Sequence, residues 1–484
     1  MAFLSVVLSA FVFGCGLAEA VAINNATDTC KEIARSISDS SRVIFPIQAA
    51  SYADAISHWF LSSSDTPACV VKVASAEDVS VVLQIVGSSR TQFAVYSGGH
   101  ASNPGFSSTK GVHISLEDLN HIYLSEDQRT VTVGFGAAWI DVYRYLEPYG
   151  LNVVGGRVIG PGVGGFTLGG GFSWKTNQHG LTVDTLKSLT VVLPNGTITT
   201  ASNNHNQDLF FALKGGMNRF GIVTSGEFYT HQQPPRVYGG LRVYPPTSVQ
   251  AVLNATVNFF YDNKDPRAGL ITTLDAGSLE PTAMGIFFFD GPDKPPAFDE
   301  FDGIPAILDN VGEKTWTSFL ASIPAYLVLN ARGAFATVST SEISASFLAA
   351  VQQEAEDIGR VAELHSGLTV SFDIEPFTDY GQHATESAYP HADSPLPLNL
   401  YFAWTNPAED DWWHARMRQA TERLKQVAIE EGIYKDTYTA YPNYALAGTT
   451  AEELYGQRNA ARLRSIRNRI DPDRIMDLAG GFEL

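Results

Sequence analysis

A histidine stands directly behind two glycines at the end of an apolar run, in "AVYSGGHASNPG", residues 94–105. Glycines of this kind let the backbone approach another group closely, because they carry no Cβ. The histidine, His100, could be a ligand, a base or a nucleophile, or it could be a packed core side chain. The stretch therefore indicates a close approach of backbone to a partner that the rest of the chain must identify.

A second glycine-rich stretch follows at residues 155–180, "GGRVIGPGVGGFTLGGGFSWKTNQHG". Successive backbone N–H groups in such a loop can bind a pyrophosphate without a lysine. The stretch contains no G-K-[ST], and it does not place G-x-G-x-x-G in a strand-to-helix turn, so it is neither a Walker loop nor a dinucleotide fingerprint. A tightly packed turn is equally compatible with this composition. Two glycine-rich loops in one αβ unit favour a large cofactor that carries phosphate.

The elements that would position both loops alternate between short strands and helices from residue 68 to about residue 230. Strands are predicted for "ACVVKV", "TQFAVY", "GVHISL" and "RTVTVGF", and Ser75 is predicted to cap a helix with Asp78 in the capping-box position. "LKSLTVVLPNGTITTA" predicts a hairpin that turns at Pro-Asn-Gly. A Pro-rich run marks a boundary near residue 234. Beyond it, the strands "GLTVSFDIEP" and "LNLYFAW" and a long amphipathic helix from residue 410 are predicted.

Composition places the chain among ordinary soluble globular proteins, with 484 residues of which 44% are hydrophobic and 17% charged. This length favours two domains. The net charge of -19 repels polyanions, so the sequence argues against a nucleic-acid partner.

The first 22 residues, "MAFLSVVLSAFVFGCGLAEAVA", are apolar and end in small residues, as a secretory signal does. The positively charged start of such a signal is missing. A membrane anchor is the alternative, but the apolar run before Glu19 is only marginally long enough to span a bilayer. Secretion is the interpretation that the small-residue ending favours, and no later segment resembles a membrane span.

Removal of that segment would leave two of the three cysteines, Cys30 and Cys69. In an oxidising compartment they can form one intramolecular disulfide, and otherwise they are two buried thiols. Three glycosylation sequons, at Asn25, Asn195 and Asn254, agree with a secreted glycoprotein.

Four motifs, "SGGH", "GVGGFTLGGG", "LKGGMNRFGIVT" and "YPNY", occur in an order that resembles the FAD-linked oxidases of the berberine-bridge-enzyme type. These enzymes belong to the vanillyl-alcohol-oxidase superfamily with a PCMH-type FAD-binding domain, and "GGHASNPGFSST" is similar to fungal members. The resemblance implies an α+β fold. Residues 23–234 and 435–484 would form the FAD domain, and residues 235–434 a substrate domain built on an antiparallel sheet.

The resemblance also implies that His100 carries FAD covalently, through the 8α-methyl carbon of the flavin ring. Such a tether withdraws electron density and should make the flavin a stronger oxidant. Further cofactor-binding positions carried over from the family motifs are Ser97, Gly98, Gly99, Gly162, Val163, Gly164, Gly165, Gly169, Gly221, Ile222, Val223, Tyr441 and Asn443. No metal is expected.

Three positions depart from the family pattern. Val158 stands where many members carry a cysteine that forms a second flavin link, so attachment through His100 alone is expected. Pro161 stands at the position that governs oxygen access. Tyr96 replaces a residue that is often basic, which leaves more of the phosphate neutralisation to backbone dipoles.

Oxidation of an alcohol needs a base that removes the hydroxyl proton as hydride leaves. Asp373 and Glu375 share one face of the strand "SFDIEP" by its period of two. This strand and "YPHADSPLPLNLY" occupy the stretch where the family builds the floor above the flavin. The candidate catalytic residues are Asp373, Glu375, Tyr389, His391, Tyr401 and Tyr441.

The predicted function is a secreted FAD oxidoreductase that oxidises an alcohol or hydroxylated carbon of a fungal metabolite or a sugar. Hydride would pass to flavin N5, and O2 would be the acceptor that gives hydrogen peroxide. The expected partners are therefore a small-molecule substrate and O2, with no membrane, and the sequence does not specify an oligomeric state. Two alternatives stay open: a flavin-containing cyclase of secondary metabolism and a flavin-binding protein without turnover.

Overall fold

The first sheet of the molecule carries the loop that ends at His100. The computed structural model describes residues 26–277, 281–323 and 331–484. The four strands run in the order β1-β2-β4-β3, with β2 and β3 parallel to β4 and β1 antiparallel to β2. The elements of this part are α1 (26–36), β1 (Arg42–Ile44), α2 (Ala49–Ala55), β2 (Cys69–Lys72), α3 (Ala76–Ser89), β3 (Phe93–Tyr96) and β4 (Val112–Ser115).

Two predictions for this sheet are confirmed. Ser75 caps α3, since its hydroxyl accepts a hydrogen bond from the backbone N–H of Asp78 at 3.1 Å. A disulfide joins Cys30 in α1 to Cys69 in β2. The Cys30–Cys69 link closes a loop of 39 residues and fixes the N-terminal helix to the sheet.

The second sheet is antiparallel and has the strand order β5-β6-β10-β8-β9. The predicted hairpin is confirmed as β8 and β9, which pair on either side of the Pro194–Gly196 turn. A small separate pair is formed by β7 and β11. The elements are β5 (Ile122–Leu124), β6 (Thr130–Gly134), α4 (Trp139–Leu146), β7 (Leu151–Asn152), α5 (Val163–Leu168), α6 (Thr176–His179), β8 (Leu186–Val192), β9 (Ile198–Ser202), α7 (Gln207–Leu213), β10 (Ile222–Tyr229) and β11 (His231–Gln232).

The third sheet is large and antiparallel, and its strands follow the order β15-β12-β14-β13-β18-β19-β17, with β16 beside β12. Its elements are β12 (Val237–Tyr244), α8 (Val249–Asp262), β13 (Ala268–Asp275), β14 (Thr282–Phe289), α9 (Asp299–Asp302), β15 (Leu308–Asp309), β16 (Gly312–Lys314), α10 (Trp316–Ala321), β17 (Arg332–Thr340), α11 (Ala345–Ala362), β18 (Gly367–Ile374), β19 (Leu396–Trp404) and α12 (Asp410–Glu430). The α+β fold class is thus confirmed. Strands β11 and β12 lie on either side of residue 234, while the exact domain boundaries stay a prediction.

The two faces of the large sheet differ in chemistry. Side chains such as Val370, Phe372 and Leu400 pack with α8, α11 and α12 in an apolar core. Because successive side chains of a strand point to opposite faces, the residues between them form a second, polar face. Across four neighbouring strands, Thr273 lies opposite Asp373, Asp373 opposite Asn399, and Asn399 opposite Thr337. We call these four residues the polar row.

The C-terminal segment returns to the first part of the chain. After α13 (Ala451–Ile470), Ala479 forms a parallel bridge with Phe93 of β3. The buried guanidinium of Arg219 donates hydrogen bonds to the backbone carbonyls of Met476, Ala479, Gly481 and Phe482. These bonds bind the chain end to the residues just before β10.

The predictions for the N-terminus fall only partly on described residues. The signal segment and the sequon at Asn25 lie outside them, whereas the side chains of Asn195 and Asn254 are exposed. Among the helices of the described residues, none is long and apolar enough to cross a bilayer. The same residues contain no cluster of three His, Cys, Asp or Glu side chains that could hold a metal ion.

Candidate functional site

His100 lies in the loop that joins β3 to β4 and is partly exposed. Its imidazole packs on the indole of Trp59, with ring centroids 4.4 Å apart. Gly160 lies beside both rings, so close that a Cβ there would be 3.0 Å from Cε1 of His100. Burial lowers the pKa of His100 to about 4, which keeps the imidazole neutral at physiological pH. A neutral imidazole is the form that can act as a nucleophile.

The two glycine-rich loops meet each other directly. A Cβ on Gly98 would lie 2.3 Å from the backbone nitrogen of Gly162, so a side chain at position 98 would drive the loops apart. Ser97 joins them, since its hydroxyl accepts from the backbone N–H of Gly164 at 3.2 Å and donates to the carbonyl of Phe135 at 2.5 Å. Beside Gly165, by contrast, no atom lies within 4 Å of the position of a Cβ.

The third predicted binding segment begins β10. Gly221 has a φ of +132°, and a Cβ there would lie 2.4 Å from the carbonyl oxygen of Val192. Ile222 and Val223 are buried in the second sheet. The carbonyl of the next residue, Thr224, accepts from the backbone N–H of Phe135, whose own carbonyl binds Ser97. Phe135 thus connects the third segment to the two glycine loops.

The "YPNY" motif closes the second glycine loop from the C-terminal side. The hydroxyl oxygen of Tyr441 accepts hydrogen bonds from the backbone N–H groups of Gly171 at 3.0 Å and Phe172 at 3.3 Å. It accepts a third from Nδ2 of Asn443 at 2.9 Å. The Asn443 amide lies against Gly169, where a Cβ would be 2.1 Å from Oδ1. Burial raises the pKa of Tyr441, and the hydrogen bonds from Asn443 and Gly171 offset part of that rise.

A buried acid–base cluster adjoins this motif, and two of its three members were not predicted. Arg157 donates through Nη2 to Oε1 of Glu375 at 2.8 Å and to the hydroxyl of Tyr444, which donates to the same Glu375 oxygen at 3.0 Å. Burial raises the pKa of Glu375, and the positive charge of Arg157 offsets part of that effect. Arg157 and Tyr444 stand within two motifs that the sequence had singled out, at the start of the second glycine stretch and in "YPNY".

Asp373 lies on the same side of the large sheet and belongs to the polar row. Its carboxylate accepts from Thr273 at 2.7 Å, Asn399 at 2.9 Å and Ser371 at 3.1 Å. Burial raises the pKa of Asp373, and these three hydrogen bonds act against the rise. The charge of Asp373 in turn raises the pKa of Glu375, so the predicted carboxylates are electrostatic neighbours.

A series of aromatic contacts connects the polar row to His100. Tyr401, next in line after Asn399 on the polar face, packs on Phe335 with ring centroids 5.1 Å apart, and Phe335 lies 6.1 Å from the ring of Tyr444. Tyr401 also packs in a small cluster with Trp59. Burial raises the pKa of Tyr401. Trp59, Tyr401, Phe335 and Tyr444 are partly exposed inside the molecule and line one continuous wall.

The structure places the last two predicted catalytic residues differently. Tyr389 is buried against Tyr441, with ring centroids 5.5 Å apart. His391 has both ring nitrogens engaged, Nε2 with Asp184 at 2.8 Å and Nδ1 with the carbonyl of Tyr389 at 2.9 Å. The structure therefore does not bring His391 to the acid–base cluster. The pair ties the loop before β19 to the turn before β8.

The departures from the family pattern can also be placed. Val158 and Pro161 are partly exposed in the segment between Arg157 and α5. Tyr96 packs beneath the first loop, where a Cβ on Gly99 would lie 2.9 Å from its hydroxyl oxygen. Burial raises the pKa of Tyr96 to about 12, so this side chain is neutral.

These residues fit an FAD. Touching glycine loops with open space at Gly165 suit a pyrophosphate, and a neutral, partly exposed imidazole at His100 suits a flavin tether. The Tyr389 hydroxyl and Nη1 of Arg157 are buried without a hydrogen-bond partner among the described residues. Such groups are normally satisfied, so they call for a ligand or water. The fold and site together define a flavoprotein.

Comparison with known proteins supports this class. The FAD binding domain family matches residues 67–202. A FAD-dependent monooxygenase of Arthrobotrys oligospora is 31% identical over 435 residues, which cover 87% of this chain and 83% of the relative. Another FAD-dependent monooxygenase, from Cochliobolus heterostrophus, is 30% identical and covers 87% of this chain and 85% of its own length.

Solved structures share the fold. BBE-like 1 of Physcomitrella patens superposes with a TM-score of 0.77 at 17% identity, covering 92% of this chain and 97% of the other. A glucooligosaccharide oxidase of Acremonium strictum gives a TM-score of 0.77 at 20% identity, covering 93% and 96%. The chain belongs to a family of FAD-linked oxidoreductases that includes these fungal FAD-dependent monooxygenases, and it has the fold of the berberine-bridge-enzyme-like oxidases. The predicted family and the enzymatic nature of the chain are confirmed.

Proposed function

We propose that this FAD-linked oxidoreductase is a secreted oxidase that carries its FAD on His100 and oxidises an alcohol or hydroxylated carbon of a fungal metabolite or sugar. The observation that carries the proposal is a continuous series of aromatic contacts that links three features. Neutral His100, beside the two glycine loops, contacts Trp59 at one end, and Tyr444 of the Arg157–Glu375–Tyr444 cluster contacts Phe335 at the other.

His100 and the two glycine loops would hold FAD, which would supply a two-electron acceptor for hydride and a route for those electrons to dioxygen that gives hydrogen peroxide. The protein must then remove the hydroxyl proton of the substrate. Tyr444 is partly exposed and already donates to Glu375, so a proton received at the Tyr444 oxygen can move to the carboxylate over 3.0 Å. Glu375 is the terminal base in this scheme. Arg157 holds it in place and favours its anion.

Tyr441 is the second candidate base. Two backbone N–H groups and the Asn443 amide converge on its oxygen, which is the donor arrangement that stabilises an oxyanion. The two candidates can be told apart by replacing Glu375, because only the proton route through Tyr444 ends at the Glu375 carboxylate.

The polar row supports a hydroxylated, uncharged substrate. Asn399 donates its Nδ2 to Asp373, which fixes its amide orientation and leaves Oδ1 as an acceptor. Oδ1 of Asn399 and Oε2 of Glu375 are buried without a donor among the described residues. Substrate hydroxyl groups would supply the missing donors, and the rings of Trp59, Phe335 and Tyr401 would pack on a flat or pyranose ring.

Purified wild-type protein tests the proposal. Its yellow colour should stay with the polypeptide after denaturation, and a screen of alcohols and sugars should reveal a compound that yields peroxide and bleaches the flavin anaerobically. Glu375→Gln should lower kcat on that compound by about 10²–10⁴-fold while flavin content is retained. Turnover without flavin reduction would instead identify a cyclase. A flavin that no compound bleaches would identify a binding protein.

The names of the fungal relatives favour monooxygenation as the competing reaction. Turnover under ¹⁸O2 separates the two reactions, since an oxidase releases both labelled atoms as peroxide and a monooxygenase places one in the product.

The proposal of secretion rests on the predicted signal, on the disulfide, and on the exposed Asn195 and Asn254. Expression in a fungal host should deliver a glycosylated protein lacking residues 1–22 to the medium, and an intracellular protein with an intact N-terminus would refute it.

A further inference from the structure

The imidazole of His100 is held by a residue that no motif contains. The indole of Trp59 packs against the ring at a tilt, with a centroid distance of 4.4 Å and an interplanar angle of 34°. The backbone N–H of Trp59 donates to the carbonyl of Gly99 at 3.0 Å, so the indole is fixed to the residue before His100. Trp59 also packs in the small cluster that contains Tyr401 and Ala403 of the large sheet. Trp59 therefore lies between the His100 loop and strand β19.

Gly160 controls the edge of the same imidazole. Its φ of +121° favours glycine, and a Cβ at this position would lie 3.0 Å from Cε1 and 3.8 Å from Nδ1 of His100. The same Cβ would lie 3.8 Å from Cζ3 of Trp59. A side chain at position 160 would therefore enter the corner between the indole and the imidazole, and it would turn the ring or cover its nitrogen edge.

We propose that Trp59 and Gly160 are positioning residues for the covalent attachment of FAD: Trp59 fixes the plane of the His100 ring, and Gly160 leaves its Nδ1–Cε1 edge free for the flavin. The inference rests on the proposed tether at His100. Attack by an imidazole nitrogen requires its in-plane lone pair to point at the carbon that it will bind. Holding reacting groups in that geometry accounts for a large part of the rate of such reactions.

The attachment itself forms one bond between an imidazole nitrogen and the 8α-methyl carbon of the flavin. The imidazole loses its N–H proton and the methyl carbon loses one C–H proton. The two electrons released enter the flavin ring and then pass to dioxygen, which takes up two protons and leaves as hydrogen peroxide. Trp59 and Gly160 exchange no proton or electron in this reaction. They act only on the orientation of His100.

The test compares covalent incorporation with total FAD binding. Full-length protein from riboflavin-starved cells is incubated with FAD and O2, and flavin that stays with the denatured polypeptide is followed by in-gel fluorescence. Trp59→Leu and Gly160→Ala should bind FAD but attach it about 10²-fold more slowly than the wild type, the loss that a misplacement of about 1 Å causes. Trp59→Phe keeps a flat ring and should attach it within about threefold of the wild-type rate. His100→Ala gives the background.

Attachment at the wild-type rate in Trp59→Leu would overturn the role of Trp59, and the same result in Gly160→Ala would overturn that of Gly160. If Trp59→Leu binds no FAD because it does not fold, Trp59→Phe and Gly160→Ala decide the question. A slow Trp59→Phe with normal FAD binding would show that the indole itself, and not a flat ring, is required, which contradicts the stacking argument. A wild type that releases all its flavin on denaturation would overturn the proposed tether at His100, and this inference with it. Failure of the positioning roles alone would leave the wild-type flavin attached and would show only in the variants.

Discussion

Two neighbouring tyrosines allow the cost of losing a buried hydrogen-bond acceptor to be measured in one site. Tyr441 and Tyr389 are both buried, and their rings lie 5.5 Å apart. The Tyr441 oxygen accepts from the backbone N–H groups of Gly171 and Phe172, whereas the Tyr389 hydroxyl has no hydrogen-bond partner among the described residues. Tyr441→Phe and Tyr389→Phe therefore remove the same atom from two different hydrogen-bonding environments.

The expected loss of stability follows from the two backbone N–H donors, of Gly171 and Phe172, that Tyr441→Phe leaves without an acceptor. Each buried N–H without an acceptor costs about 1–3 kcal/mol, so the variant should lose at least about 2 kcal/mol of stability. For a domain of about 150–250 residues, each kcal/mol lowers Tm by about 2–4 °C. We expect Tyr441→Phe to lower Tm by at least about 4 °C. Tyr389→Phe should stay within about 2 °C of the wild type, since it leaves no donor of the described residues without its acceptor.

Thermal unfolding of both variants and the wild type, followed by near-ultraviolet circular dichroism at equal flavin content, measures the difference. Equal flavin content is needed because a bound ligand adds its own stabilisation. Equal and small Tm shifts in both variants would refute the assignment of Tyr441 as the acceptor of two backbone amides. A larger loss in Tyr389→Phe than in Tyr441→Phe would contradict the reasoning entirely.

Cys69→Ser should lower the free energy of unfolding by about 4 kcal/mol, because the disulfide closes a loop of 39 residues; an unchanged denaturation midpoint would exclude this contribution. Despite burial, His391 keeps the pKa of Asp184 below its usual 3.8, so the stability that Asp184 contributes is present above that value and is lost as the pH falls through the lowered pKa. The Tm difference between wild type and Asp184→Asn should shrink as the pH falls below about 3.8, and a constant difference would count against the pair. Arg219→Met should speed amide exchange of residues 476–482 about 10²-fold, equal to roughly 3 kcal/mol, and unchanged exchange would show that Arg219 is not the clamp.

Local features of the fold could be predicted from the sequence because their causes are local. Ser75 and Asp78 lie three residues apart, and the β8–β9 hairpin is specified by its own turn. Strand β17 was not predicted. Its sequence, "RGAFATVST", is rich in small residues and has little hydrophobic alternation, and it becomes a strand because β19 pairs with it along its full length.

In the candidate site, too, features with a local sequence signal were predicted and those that depend on distant contacts were not. The glycine loops and His100 were found because their composition is unusual within a short stretch. Arg157 was missed as a site residue because its partner Glu375 is 218 residues away, and an arginine beside glycines carries no local mark of a buried ion pair. Trp59 was also missed, because it is far from His100 in sequence and contacts it only in the folded chain. The position of His391 beside Asp184 likewise depends on a contact across 207 residues.

The contact between Asn443 and Gly169 has a consequence for how the protein is made. The second glycine cradle is closed by residues that lie more than 270 positions further along the chain, where Asn443 donates to the carbonyl of Phe166 at 3.0 Å. A ribosome must therefore translate the chain past residue 443 before the FAD site can close. Cofactor loading then reports that synthesis has reached the C-terminal segment, and prematurely terminated chains would stay colourless.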